Sequence, residues 1–235
     1  KIDYAVAVDC TKQMNIPRCQ NVSQHVQTWL SAKNIKQGEA YPIYIVAAEG
    51  GGIRAAYWTA SVLAALHERD DKFSEHLFAV SGVSGGALGA SVYASLLSDK
   101  LAQNKNPGRC ATSFSACSRA ILSQDFISPT LAALLYPDLI QRLIPFPIAA
   151  CDRARALEYS WENAWETETG NTRFSAGFFS LWQDKETSLP ALFLNATLVE
   201  TGQRAIVSNL RIDKAAFHDA LDVYAAPLQL PEPPL

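Results

Sequence analysis

Ile43-Tyr44-Ile45-Val46-Ala47-Ala48-Glu49-Gly50-Gly51-Gly52, followed one helix length later by Leu77-Phe78-Ala79-Val80-Ser81-Gly82-Val83-Ser84-Gly85-Gly86, carries the reading of the fold. Each stretch is a short apolar run ended by glycines. That pattern predicts strands buried on both faces, as in a parallel sheet. Between them, about Ala55–Arg69, Trp58, Val62, Ala65, Leu66 and Arg69 fall at helical spacing, and Asp70-Asp71 ends the run. A second helix is predicted from the Ser84 turn to about Leu97. Strand, loop, helix, strand, turn, helix is the order of a parallel sheet with crossover helices.

Working outward, residues 1–41 read as a polar extension with a short helix near Ser23–Lys33. Residues 42–226 form the α/β domain, and 227–235 a proline-rich tail. Residues 99–118 read as a polar loop. Prolines 129, 137, 145 and 147 divide 121–148 into short helices. The apolar residues there, Leu134, Leu135, Tyr136, Leu139, Leu143, Ile144 and Phe146, would suit a lid or an interfacial surface. Most such stripes are buried, however, and packing on the core is the expectation. Asp152–Trp165 is a further helix, with Leu157, Trp161 and Trp165 on one face. Ala191–Leu198 and Arg204–Ser208 read as a hairpin around Glu200–Gln203.

The composition narrows the functional classes. The chain has 235 residues, 49% of them hydrophobic and 18% charged, with a formal net charge of −3. That balance supports a sizeable core and argues against a nucleic-acid partner. Leu77–Ser98 lacks charge and is long enough to span a bilayer, but four glycines and five serines favour a strand–turn–helix. Five cysteines contain no CxxC pair or zinc spacing. Cys10/Cys19 and Cys110/Cys117 bracket short loops; each pair is equally compatible with a small disulfide or with free thiols. Asn21-Val22-Ser23 and Asn195-Ala196-Thr197 match glycosylation sequons, the latter inside an expected strand.

Gly82-Val83-Ser84-Gly85-Gly86 fits G-x-S-x-G, with an apolar strand before it and a helix after it. In such an elbow the serine hydroxyl is lifted out of the sheet, and the flanking glycines allow a tight turn. Gly50, Gly51 and Gly52 would expose backbone amides able to hold an oxyanion, with Arg54 two residues on. A phosphate loop is excluded because no Gly-Lys-Ser/Thr completes it, and Ala55 interrupts G-x-G-x-x-G. One βαβ unit would place both loops at the same sheet edge.

The runs YIVAAEGGGIRAAYWTASVLAAL (44–66) and FAVSGVSGGALGASVYASLL (78–97) resemble the patatin-like phospholipase family. DRARALEYSWE (152–162) and LFLNATLVETGQRAIVSN (192–209) are similar to larger bacterial members. The resemblance spans about residues 42–220. It implies a three-layer α/β/α fold with a mainly parallel central sheet and a Ser-Asp dyad acting on phospholipid or other lipid esters without a cofactor or metal. Carried over, Ser84 is the nucleophile, Gly50, Gly51, Gly52 and Arg54 the oxyanion loop, and Gly82, Gly85 and Gly86 the elbow. A membrane surface is then a possible partner, the chain being part of a larger protein.

Three departures stand out. Glu49 replaces a common aspartate and Ala55 a common glycine, both tolerable. More seriously, the family's aspartate lies in Asp-Gly-Gly or Asp-Gly-Ala, and no Asp-Gly occurs here. The expectation is truncation before that motif, with the base supplied beyond Leu235 and the chain as given catalytically weak. The alternative is an inactive domain that binds lipid or protein. Asp213 with His218 could complete a Ser…Asp…His order, but their five-residue spacing suits a relay poorly. Asp213, Asp219, Asp222 and His218 are expected at the surface, and His25, His67 and His76 at ordinary polar positions.

Overall fold

A computed structural model describes residues 17–33, 35–36, 38–70, 72–101, 110, 113–141, 143–146, 148, 152–182 and 189–225. Its centre is a five-stranded sheet in the order β1 (Tyr44–Ala48), β2 (Leu77–Val83), β3 (Ala191–Thr197), β4 (Arg204–Ser208), β5 (Ala220–Asp222). β1, β2 and β3 are mutually parallel, β4 is antiparallel to β3, and β5 is parallel to β4. The sheet is therefore mainly parallel, and the expected 191–208 hairpin is present. β5 was not anticipated from the sequence; three residues are too few to show a period.

The helices are α1 (Val22–Ser31), α2 (Gly52–Arg69), α3 (Phe73–His76), α4 (Gly85–Leu101), α5 (Phe114–Leu122), α6 (Ile127–Ala133), α7 (Leu139–Gln141) and α8 (Arg153–Thr169). A π-helical turn, Leu134–Asp138, joins α6 to α7. α5 corrects the polar-loop expectation for 99–118: Ser113 caps it by accepting from the Ala116 amide. Asn21 and Gln24 close a capping box at the start of α1, so the Asn21 amide serves the helix end. No described helix is long and apolar enough to cross a membrane.

Both faces of the sheet are covered, which gives the three layers. On one face Val80 and Leu192 pack with Leu63 of α2 and Ala90, Tyr93, Ala94 and Leu97 of α4. On the other, Phe78, Ala79, Phe193 and Ile206 pack with Trp29 of α1. A second layer of contact joins α2, α4, α5 and α8 through Ala56, Ala60, Val92, Ile121 and Trp165. Cys110 and Cys117 form a disulfide at the start of α5. Cys19 is also disulfide-bonded; Cys10, its expected partner, lies outside the described residues.

α2 turns opposite to the simple expectation. Its small residues Ala56, Ala60 and Ala64 face inward with Leu63 and His67, while Trp58, Val62 and Leu66 are exposed. The cause is close approach to α4. A Cβ on Gly89 would stand 2.5 Å from the Ala56 carbonyl oxygen, so only small side chains fit between these helices. His67 is consequently buried, with Nε2 2.9 Å from Lys100 Nζ, correcting its expected polar position.

Two stability predictions follow from this packing. Alanine is favoured over glycine by about 1 kcal/mol in an unhindered helix. Gly89→Ala is nevertheless expected to destabilise the protein by about 1–3 kcal/mol, because the clash is with backbone. A higher urea midpoint for the variant would refute the tight α2–α4 contact. His25 lies 5.6 Å from the Phe78 ring, and burial lowers its pKa. The unfolded chain then takes up this proton first as pH falls below about 6.5, so stability is lost on acidification. Urea titrations from pH 8 to pH 5 should show wild type losing stability relative to His25→Gln; a constant difference would contradict this.

Candidate active site

The two glycine loops sit where β1 and β2 end. β1 and β2 run in parallel register, Ala48 opposite Gly82, so Glu49–Gly52 and Val83–Gly86 leave the sheet at the same edge. Their contact is direct. A Cβ on Gly50 would lie 3.3 Å from the Ser84 Cβ, and one on Gly85 only 1.9 Å from the Gly52 carbonyl oxygen. At Gly86 the obstacles would be the Ala48 and Glu49 carbonyl oxygens, at 2.5 and 2.6 Å. Glycine at 85 and 86 is thus imposed by backbone packed on backbone.

Ser84 is the only non-glycine residue with positive φ among the described residues, at 53°. That conformation is costly for an L-residue and marks a built turn. Ser84 is exposed, and no hydrogen bond from its hydroxyl is found among the described residues. Its carbonyl accepts from the Ala87 and Leu88 amides, at 3.0 and 3.2 Å. The Gly85 and Gly86 amides precede those first helical bonds and belong to the helix start.

Gly52, with φ 61°, begins α2 immediately beside Gly85, which begins α4. Two helix amino termini therefore converge on the serine. Their unpaired amides and dipoles favour negative charge at this point. Arg54, in the first turn of α2, is exposed and makes no ion pair among the described residues. It adds a fixed positive charge to the same end of the molecule.

A residue that sequence patterning read only as a sequon completes the elbow. Asn195 of β3 lies opposite Val83. Its Nδ2 is 3.0 Å from the Gly82 carbonyl oxygen and 3.0 Å from Ser81 Oγ. Arg204 Nε donates to Asn195 Oδ1 at 3.3 Å, which orients the amide. The signal available beforehand was a polar side chain midway along an apolar strand.

The late acidic residues are engaged elsewhere. Asp222 accepts from Arg18 through both oxygens, at 2.8 and 2.9 Å, and from the Ile212 and Tyr224 amides. It is buried, contrary to the surface expectation. Asp219 accepts from Arg204, Asp213 caps a turn at Ala216, and His218 is exposed. No Asp213–His218 pair forms. A groove of about 400 Å3 lies between α6 and α8; neither glycine loop lines it. Among the described residues no His, Cys, Asp and Glu cluster could hold a metal ion.

Asn195→Leu removes the donor to the Gly82 carbonyl and should cost about 1–3 kcal/mol, the usual range for a buried partner left unpaired. Urea denaturation measures it, and an unchanged midpoint would show that the elbow does not depend on this amide.

A family model described as Patatin-like phospholipase matches residues 46–218, well over half of the 235 residues. No curated protein and no solved structure matches the chain.

Proposed function

Because the chain belongs to the patatin-like phospholipase family, whose activity in general is lipid acyl hydrolysis, we propose that it is a serine hydrolase of lipid acyl esters with Ser84 as the nucleophile. The observation that carries this is the exposed Ser84 at φ 53°, its Cβ within reach of Gly50 and between two helix amino termini. In the proposed reaction Ser84 Oγ attacks the ester carbonyl carbon and passes its proton to a base. The carbonyl oxygen becomes an oxyanion, held by backbone amides of Gly50, Gly51 and Gly52. Collapse expels the alcohol or lysolipid, which takes a proton, and leaves an acyl-enzyme. Water then releases the fatty acid. No cofactor or metal takes part in this scheme.

Arg54 is assigned to the oxyanion loop as its positive charge, facing an anionic head group or steadying the turn. Gly82, Gly85 and Gly86 supply the elbow. The base is assigned to an aspartate acting in a Ser-Asp dyad. No described carboxylate hydrogen-bonds to Ser84, and Asp222, Asp219 and Asp213 are held by other groups. The proposal accordingly assigns the dyad aspartate to a residue outside the described ones. The second reading is a catalytically inactive domain that binds lipid or protein.

A fluorophosphonate probe separates the two. Labelling that maps to Ser84 by mass spectrometry, and that vanishes in Ser84→Ala, is the expected outcome. Equal labelling of the Ser84→Ala protein would reject the nucleophile, and a folded chain that takes no label would favour the binding domain.

A further inference from the structure

The apolar segment after α5 is not buried. Ile127, Leu131, Leu135, Leu139 and Leu143 recur every four residues and are all exposed, Leu143 at 86%. Tyr136, Ile140 and Phe146 are exposed as well. In a pure α-helix a four-residue step drifts by about 40°. The π-helical turn Leu134–Asp138, with more residues per turn, offsets part of that drift between Leu131 and Leu139; Leu143 follows the end of α7. The burial expected from the sequence fails because α6 meets α8 through its other side, where Ala133 is the buried residue.

The row begins at the active-site end of the molecule. Glu68, near the end of α2, accepts from Ser113 and Ser115 at the start of α5. α5 therefore runs back along α2, and Phe126 belongs to the same apolar cluster as Ala56, in the amino-terminal part of α2. Ile127 follows directly. The exposed row thus starts level with the helix end that carries Gly52 and faces Ser84.

Charge decides what this surface suits. From Ile127 to Phe146 the sequence carries two charged residues, Asp138, with which Arg153 is paired, and Arg142, a cation that suits the head-group level. A specific protein interface would need a polar rim with matched hydrogen bonds; this row offers one phenol, Tyr136. An apolar helical face with an aromatic at its margin matches the boundary between head groups and acyl chains.

We propose that the face formed by Ile127, Leu131, Leu135, Leu139 and Leu143 docks on a lipid surface and holds the mouth of the Ser84 site against it. The proposal rests on the lipid acyl hydrolase reading for its choice of partner, but its test does not depend on catalysis. Flotation with phosphatidylcholine vesicles should carry the wild-type chain upward. Leu135→Asp/Leu139→Asp/Leu143→Asp should weaken vesicle binding by at least about tenfold. The three side chains are exposed, so thermal unfolding of this variant should match wild type. Ser84→Ala should float as wild type does, and Ile45→Lys, an exposed apolar site on β1, likewise.

Equal flotation of the triple variant would overturn the proposal. So would a wild-type chain that ignores vesicles yet forms a dimer by light scattering, with the triple variant monomeric; the face would then serve a second copy. Vesicle binding lost in the triple variant, with Ser84 refractory to fluorophosphonate, would retain the docking face and reject the hydrolase alone.

Discussion

Two backbone segments are pressed together at the carboxyl edge of β1 and β2, and the rest of the site depends on that contact. The Gly52 carbonyl meets Cα of Gly85, and the Ala48 and Glu49 carbonyls meet Gly86. Any side chain at these positions would push the loops apart. Their closeness brings two helix starts to one point, with Ser84 between them in a left-handed conformation. The field there is fixed by covalent geometry and packing, as the proposed oxyanion role of the glycine loop requires. Farther along the same helices, Gly89 against Ala56 continues the constraint. The small face of α2 is thus spent on α4, and its larger apolar residues are left outside.

That trade explains why parts of the chain were legible and others were not. β1, β2 and the two glycine loops could be read as strands and turns because short apolar runs ended by glycine have few alternative structures. The Ser84 turn was readable for the same reason. β1, however, was expected buried on both faces and is instead largely exposed at the sheet edge, since pattern does not show which strands are outermost. The orientation of α2 was not, since Trp58, Val62 and Leu66 share a spacing with the helix period whichever way the helix faces. Only the Gly89–Ala56 approach, a contact between residues distant in sequence, selects the side. His67 went inward with it.

Asn195 and Asp222 illustrate a second limit. Each is one polar residue in an apolar strand, and pattern alone cannot say whether such a residue is exposed, paired or structural. Asn195 braces the Gly82 carbonyl from a neighbouring strand, and Asp222 receives Arg18 from the other end of the chain. Both partners lie more than a hundred residues away. The leucine row from Ile127 to Leu143 failed for another reason: helical spacing shows that a stripe exists, but not whether anything lies over it.

β1 is an outer strand of the sheet, and Ile45 on it is 69% exposed. Among the described residues no strand pairs with its other side, which offers amides and carbonyls in strand register, flanked by apolar side chains. A polypeptide laid there in the direction shared by β1, β2 and β3 would finish its run alongside Glu49 and Gly50. The geometry of an open sheet border thereby singles out one location, two chain spacings from the Ser84 strand, at which an added segment would hand its final residue to the glycine loop.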